Sequence, residues 1–305
     1  MGSYTKSVKM PFRYSVLDIY FRIKFKISLM LNPRNLQSRK SSAPYLSSDT
    51  YYEICDYKIN SKKDFDGLLM NQTNLDRVYI KGHLVDQFKS FISNMKPNSI
   101  KKLIIMESDN IQYAHELVPI LIIAKVVYSN NLVGKADGIF PLPLGLERQC
   151  YRSAGVLKDF KKPFGLDISK RKIGFLVAWN DKTNINRSKY RAQFRESKNS
   201  LVINSRVSPQ VIHKLMRKTL FVPSPAGNGL DCHRTWEALY LGAVPVVLEK
   251  DFCGDESWPV LVVPSWDFLI KKNISELKQL YTECCAKNER VLSFSAQLVD
   301  GLRRS

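Results

Sequence analysis

Between Leu220 and Val247 the chain passes from an apolar triplet, Leu220-Phe221-Val222, through a loop holding Gly227 and Gly229, into a segment with helical apolar spacing (Trp236, Leu239, Tyr240), and out past Gly242 to Val244-Pro245-Val246-Val247. Strand, loop, helix and strand in so short a span form a βαβ unit, which requires a parallel sheet. Asp231 is a good N-cap, so the spacing predicts a helix from Cys232. The glycines permit close backbone approach to a ligand, and the helix N-terminus behind them carries partial positive charge suited to a phosphate. Arg234 falls in the first turn, and Glu237 lies three residues on, on the same face. One face thus offers a cation for a diphosphate and a carboxylate for ribose hydroxyls. Packing alone explains Trp236, Leu239 and Gly242. It does not explain Gly227, Gly229, Asp231, Arg234 and Glu237 at one helix start.

The same alternation extends over the chain after residue 75. Arg77–Ile80, Lys102–Met106, Val126–Tyr128 and Ile139–Leu144 read as strands, with a helix over Asp86–Met95. In the second half, Lys172–Val177, Leu201–Ile203, Leu220–Val222 and Val244–Leu248 read as strands. Helices are expected over Arg187–Arg195 and from Pro209, behind the cap Ser208, to about Lys218. The expected fold class is α/β, with two parallel-sheet domains, residues 1–160 and 161–305. The Lys-rich stretch 158–172, with Pro163 and Gly165, is the expected linker. Ligands in such sheets sit beyond the carboxyl ends of the strands. The last stretch, from Asn288, is expected to be a helix that crosses back to the first domain. Residues 1–50 receive no assignment.

Charge narrows the partners. The 305 residues carry 47 Lys and Arg against 28 Asp and Glu, a net charge of +19 that favours anions. Residues 1–40 hold nine basic residues and one acid, Asp18, on a segment rich in aromatic and aliphatic residues from Phe12 to Leu31. Arg22, Lys24 and Lys26 interrupt its apolar run, so it is too short to span a bilayer. It reads equally as an interfacial segment for an anionic membrane surface or as an arm packed on the first domain. No signal peptide is evident. Six scattered cysteines point to reduced thiols and a cytoplasmic setting, peripheral at a membrane if the arm is interfacial. His83, His115, His213 and His233 show no metal-ligand spacing, and no C-x-x-C occurs, so no metal site is expected.

The segment Pro225, Gly227, Arg234, Glu237-Ala238-Leu239, Pro245-Val246 resembles exostosin-like glycosyltransferases, and its Gly229-Leu230-Asp231-Cys232-His233 loop resembles their small stand-alone microbial or viral members. Ala226 departs from the Arg common in animal members. The resemblance implies the GT-B fold, two Rossmann-like domains facing across a cleft, and an inverting transfer from a nucleotide-sugar to a glycan or lipid-linked acceptor. It implies a donor such as a UDP-sugar, xylose among the options, and no required cofactor. Gly227, Asn228, Gly229, His233, Arg234 and Glu237 would bind the donor, joined by Asn184 and Arg187 from the polar loop Trp179–Arg187. The Ser-Asp element at Met106–Asn110 supplies the carboxylates Asp109 and Glu107 as candidate bases. Pro141–Glu147 would shape the cleft floor, with Asn130 and Asn131 beside it. Two other classes stand beside this one: a basic nucleic-acid-binding protein, for which no recognition motif is present, and a catalytically inactive GT-B scaffold.

Overall fold

A computed structural model describes residues 15–21, 23, 39, 41–70, 75–151, 157–161, 168–205, 207–288 and 291–304. Most of the arm from Phe12 to Leu31, and residues 162–167 of the expected linker, lie outside the described residues.

The first unit opens with α1 (Ser48–Ile54), β1 (Tyr57–Ile59), α2 (Asp64–Met70), β2 (Leu75–Lys81), α3 (Val85–Phe91) and β3 (Ile100–Met106). It continues through β4 (Gln112–Tyr113), α4 (Ala114–Leu117), β5 (Ala124–Ser129), β6 (Leu132–Val133) and β7 (Ile139–Pro141). Five strands form a parallel sheet in the order β1-β2-β3-β5-β7, and β4 pairs with β6 beside it. Because the strands follow in chain order, right-handed crossovers put every connecting helix on one face. Residues alternate accordingly. Val78, Ile80, Leu103 and Ile105 pack with Phe65, Leu68 and Phe88 of the crossover helices. Tyr79, Ile104 and Met106 face the other way, against Tyr51 and Ile54 of α1.

The second unit is built from β8 (Ile173–Val177), α5 (Asn186–Arg195), β9 (Ser200–Val202), α6 (Pro209–Met216), β10 (Thr219–Pro223), α7 (His233–Tyr240) and β11 (Val244–Leu248). After β12 (Leu261–Val263) come α8 (Asp267–Ile270), α9 (Ile274–Asn288) and α10 (Val291–Arg303). Its parallel sheet runs β12-β11-β10-β8-β9, so the chain reverses its direction of winding between β8 and β10. Every residue of β10 and β11 is buried, as expected of strands covered on both faces. Arg171, 1% exposed, donates to Met216 O, Thr219 O and Leu241 O, and so ties the ends of α6 and α7 to β10. The architecture is two parallel α/β units facing across a cleft, the arrangement expected from the sequence.

α10 carries the chain back to the first sheet. Arg77 donates to Arg303 O at 2.7 Å and Lys102 to Gly301 O at 3.0 Å. Val299 and Leu302 join the face that the crossover helices leave uncovered. The N-terminal helical segment at 15–21 packs on the second unit rather than the first. Leu17 and Phe21 meet the core, and Asp18 accepts the Ser208 N–H just before α6 at 2.5 Å. Its other side, Val16, Ile19, Tyr20 and Ile23, is 49–60% exposed. Among the described residues no helix is long and apolar enough to cross a membrane.

Candidate active site

The strand-order reversal of the second sheet places the carboxyl ends of β8 and β10 side by side, and a cleft of about 540 Å³ opens above them. The second unit lines it with Trp179, Arg187, the 227–229 loop and the start of α7. The first unit lines it with Glu107, Ser108, Asp109, Leu144, Glu147 and Arg148.

The start of α7 differs from the sequence expectation. The helix begins at His233, its N-cap is Cys232, and no side chain caps it. Asp231 is drawn away to another task. Its carboxylate accepts the Leu144 N–H at 2.7 Å and the Trp236 indole N–H at 2.9 Å, while its own N–H donates to Asn131 Oδ1 at 2.9 Å. Burial pushes the Asp231 carboxyl up to about 6, against the lowering effect of those donors. Asp231 therefore clamps the two units together, and the positive end of α7 is left open towards the cleft.

The loop glycines serve close packing of protein on protein. A Cβ at Gly227 would lie 2.8 Å from Arg187 Nη2, and one at Gly229 would lie 2.6 Å from Asn131 Nδ2. The Gly227 N–H donates to Gly229 O at 2.8 Å, so this amide is not presented to a ligand as the sequence suggested.

Arg187 is likewise a scaffold residue in this conformation. Nε donates to Ala226 O (2.9 Å), Nη2 to Pro225 O (2.8 Å) and Cys232 Sγ (3.4 Å), and Nη1 to Thr183 Oγ1 (2.7 Å) and Asn180 O (3.3 Å). These bonds occupy the guanidinium fork and hold the glycine loop on β8. Asn184 does similar work, with Nδ2 donating to Gly227 O and Oδ1 accepting the Asn186 N–H. His233 faces the first unit, Nδ1 at 2.7 Å from Gly145 O and Nε2 at 3.6 Å from Glu147 Oε1. Asn228 reaches across the cleft to Asp109, its Nδ2 donating to Oδ2 at 3.1 Å.

Arg234 and Glu237 stand where the sequence put them. Glu237 is 2% exposed, yet it lines the cleft wall. Its Oε2 lies 3.2 Å from Arg234 Nη1, and its Oε1 lies 3.9 Å from His213 Nε2. None of Glu237 Oε2, Arg234 Nη1 or His213 Nε2 has an aligned hydrogen-bond partner in the protein. Glu237 Oε2 and Arg234 Nη1 face each other as an ion pair at the cleft wall, and His213 lies behind the carboxylate. Burial alone would raise the Glu237 carboxyl, but Arg234 and His213 outweigh it and hold the group below its usual range.

On the opposite wall the two candidate bases separate. Glu107 sits at the end of β3 with φ +59, a left-handed conformation costly for a residue with a Cβ. Arg39 Nη2 meets its Oε1 at 2.5 Å, and Arg148 Nε lies 3.7 Å from the same oxygen. The same arginines pair with the buried Asp49 at 3.3 and 3.2 Å. Burial favours the neutral acid, yet the two guanidiniums prevail and hold Glu107 ionised below the usual carboxylate range. A carboxylate held this way is a poor proton acceptor, so the structure gives Glu107 a framework role in place of the expected catalytic one. Asp109 is exposed at the cleft mouth, across from the 227–229 loop.

Asn131 was expected beside the cleft, whereas Arg39, Asp49, Arg148 and His213 complete or support the site without having been placed in it by the sequence. Their contacts join residues far apart in the chain, such as Arg148 with Asp49 and His213 with Asp159. Local spacing carries no trace of them. Among the described residues, no group of three or more His, Cys, Asp and Glu side chains is arranged to hold a metal ion.

No family model matches the sequence, and no curated protein matches it. Among solved structures, the chain is similar to an alpha-glucosyltransferase in complex with UDP and a 13-mer DNA containing a HMU base, at 13% identity over 77% of this chain and 79% of that one, TM-score 0.36. It is also similar to an alpha-glucosyltransferase in complex with UDP-glucose and DNA containing an abasic site, at 12% identity over 78% and 79%, TM-score 0.34.

Proposed function

We propose that this protein is a glycosyltransferase of the exostosin-like type, moving a sugar from a uridine diphosphate donor to a hydroxyl of a glycan or lipid-linked acceptor with inversion. The observation that carries the proposal is the uncapped start of α7, with Arg234 and the buried Glu237, opening on a cleft at the strand-order reversal. The diphosphate sits at the helix N-terminus beside Arg234, where the charge that grows as the glycosidic bond breaks is met by fixed dipoles and a cation. Glu237 accepts the ribose hydroxyls. Asp109, on the other unit, takes the acceptor proton as the acceptor oxygen attacks the anomeric carbon from the face opposite the diphosphate. The unit-to-unit bonds of Asp231 and Asn131 hold the two half-sites in register.

The test is a panel of UDP-sugars and acceptors read for UDP release and for the anomeric configuration of the product by NMR. Inversion with a glycan or lipid-linked acceptor supports the proposal, and retention removes Asp109 from the role of base. The net charge of +19 favours a second reading of the acceptor as a nucleic acid. Oligonucleotides in the same panel, titrated at physiological salt, separate transfer to nucleic acid from non-specific binding, which falls steeply with salt.

A further inference from the structure

Behind Glu237 lies a buried side chain that the proposed chemistry does not use. His213, on α6, is 2% exposed and packs under the Phe160 ring at 4.9 Å. Its Nδ1 is 3.0 Å from Asp159 Oδ2, and its Nε2 points to Glu237 Oε1 at 3.9 Å. Asp159 is itself fixed, since Arg217 Nη2 donates to its carbonyl at 2.7 Å. The row Asp159–His213–Glu237–Arg234 therefore runs from the segment joining the two units to the cleft wall. Burial would strip the proton from the imidazole, but the two flanking carboxylates prevail and raise its pKa. A protonated ring sits between the two carboxylates, hydrogen-bonded at Nδ1 to Asp159 and facing Glu237 Oε1 at 3.9 Å as an electrostatic neighbour.

Such a row has a geometric consequence. A glutamate carboxylate with one charged neighbour can rotate about its last bond. With Arg234 3.2 Å from one oxygen and an imidazole anchored from behind 3.9 Å from the other, charges on both sides restrict that rotation. We propose that His213 is a positioning residue for the donor site: anchored on Asp159, it fixes the Glu237 carboxylate so that both ribose hydroxyls are recognised together. This rests on the reading of Glu237 as the ribose ligand.

The experiment is calorimetric titration of UDP and of 2′,3′-dideoxy-UDP into the wild type and the His213→Gln, His213→Phe and Asp159→Asn variants, with melting temperatures recorded for each. The wild type is expected to prefer UDP by about tenfold or more. His213→Phe should bring that preference close to unity while leaving the affinity for dideoxy-UDP unchanged. His213→Gln, which keeps a polar N–H group near Glu237 but no charge, should keep part of it, and Asp159→Asn should lower it. Equal losses for both nucleotides would show that His213 only supports the fold and would overturn the proposal. A preference retained in the variants would also overturn it while leaving the ribose role of Glu237 intact. A wild type without any preference would remove that role, and the proposal with it. Should His213→Phe fail to fold, the Gln and Asp159→Asn variants decide the matter by the same comparison.

Discussion

Glu237→Gln separates a binding role from a packing role. The carboxylate can accept a hydroxyl proton at each oxygen, whereas the amide accepts at one. Losing a hydrogen bond to a charged acceptor costs about 1.5–3 kcal/mol, or about ten- to hundredfold in the dissociation constant for UDP. The fold suffers as well, because Glu237 lies 3.2 Å from Arg234 and 3.9 Å from His213. Removing one partner of a buried ion pair costs about 3–5 kcal/mol when the other is left stranded. The loss should fall well below that range here, because the amide keeps the volume and one acceptor, and the Arg234 side chain is 28% exposed to screening water. Calorimetry with UDP, paired with thermal melting, reads the two effects separately. An unchanged UDP affinity in a destabilised protein would refute the ribose role and leave Glu237 as a framework residue.

Asp109→Asn should abolish transfer yet leave UDP affinity near wild type, because it belongs to the opposite wall; near-normal transfer in single-turnover assays would remove it as the base. Asp231 gives a pH signature. Its carboxyl rises from 3.8 to about 6 on folding, so its contribution is fully present below pH 4 and is lost as pH rises through about 6. The roughly two-unit shift corresponds to about 3 kcal/mol, and Asp231→Asn should flatten that slope in denaturant melts taken from pH 4 to pH 7; an unchanged slope would place the titration elsewhere. For the N-terminal helix, replacing the exposed Ile19 and Tyr20 by Ser should weaken sedimentation with anionic vesicles without changing UDP binding, since Leu17 and Phe21 keep it docked. Equal sedimentation would assign the segment to packing alone.

What could be read from the sequence followed local rules. β11 at Val244–Leu248 matches the expected strand, and α5 begins one residue before the expected Arg187. Arg234 and Glu237 were legible because three-residue helical spacing fixes their relative direction whatever surrounds them. Asp231 was misread for an instructive reason. Alone it is a good cap, but the Leu144 amide and the Trp236 indole compete for its carboxylate, and the helix starts uncapped one residue later than expected. The same holds for Gly227 and Gly229, whose missing side chains make room for Arg187 and Asn131. Glu107 and His213 take their roles from partners on distant elements, Arg39 and Arg148 for one, Asp159 for the other. α1, β1 and β12 were missed because each is short and draws its burial from the tertiary structure.

The most direct test of the account is titration of UDP into the wild type and into Arg234→Ala at one ionic strength. The account predicts one UDP bound per chain and a loss of about tenfold or more in affinity for the variant, since a charge-assisted contact to phosphate is removed beside the start of α7. Failure of the wild type to bind any uridine nucleotide, or binding that is indifferent to Arg234→Ala, would contradict it.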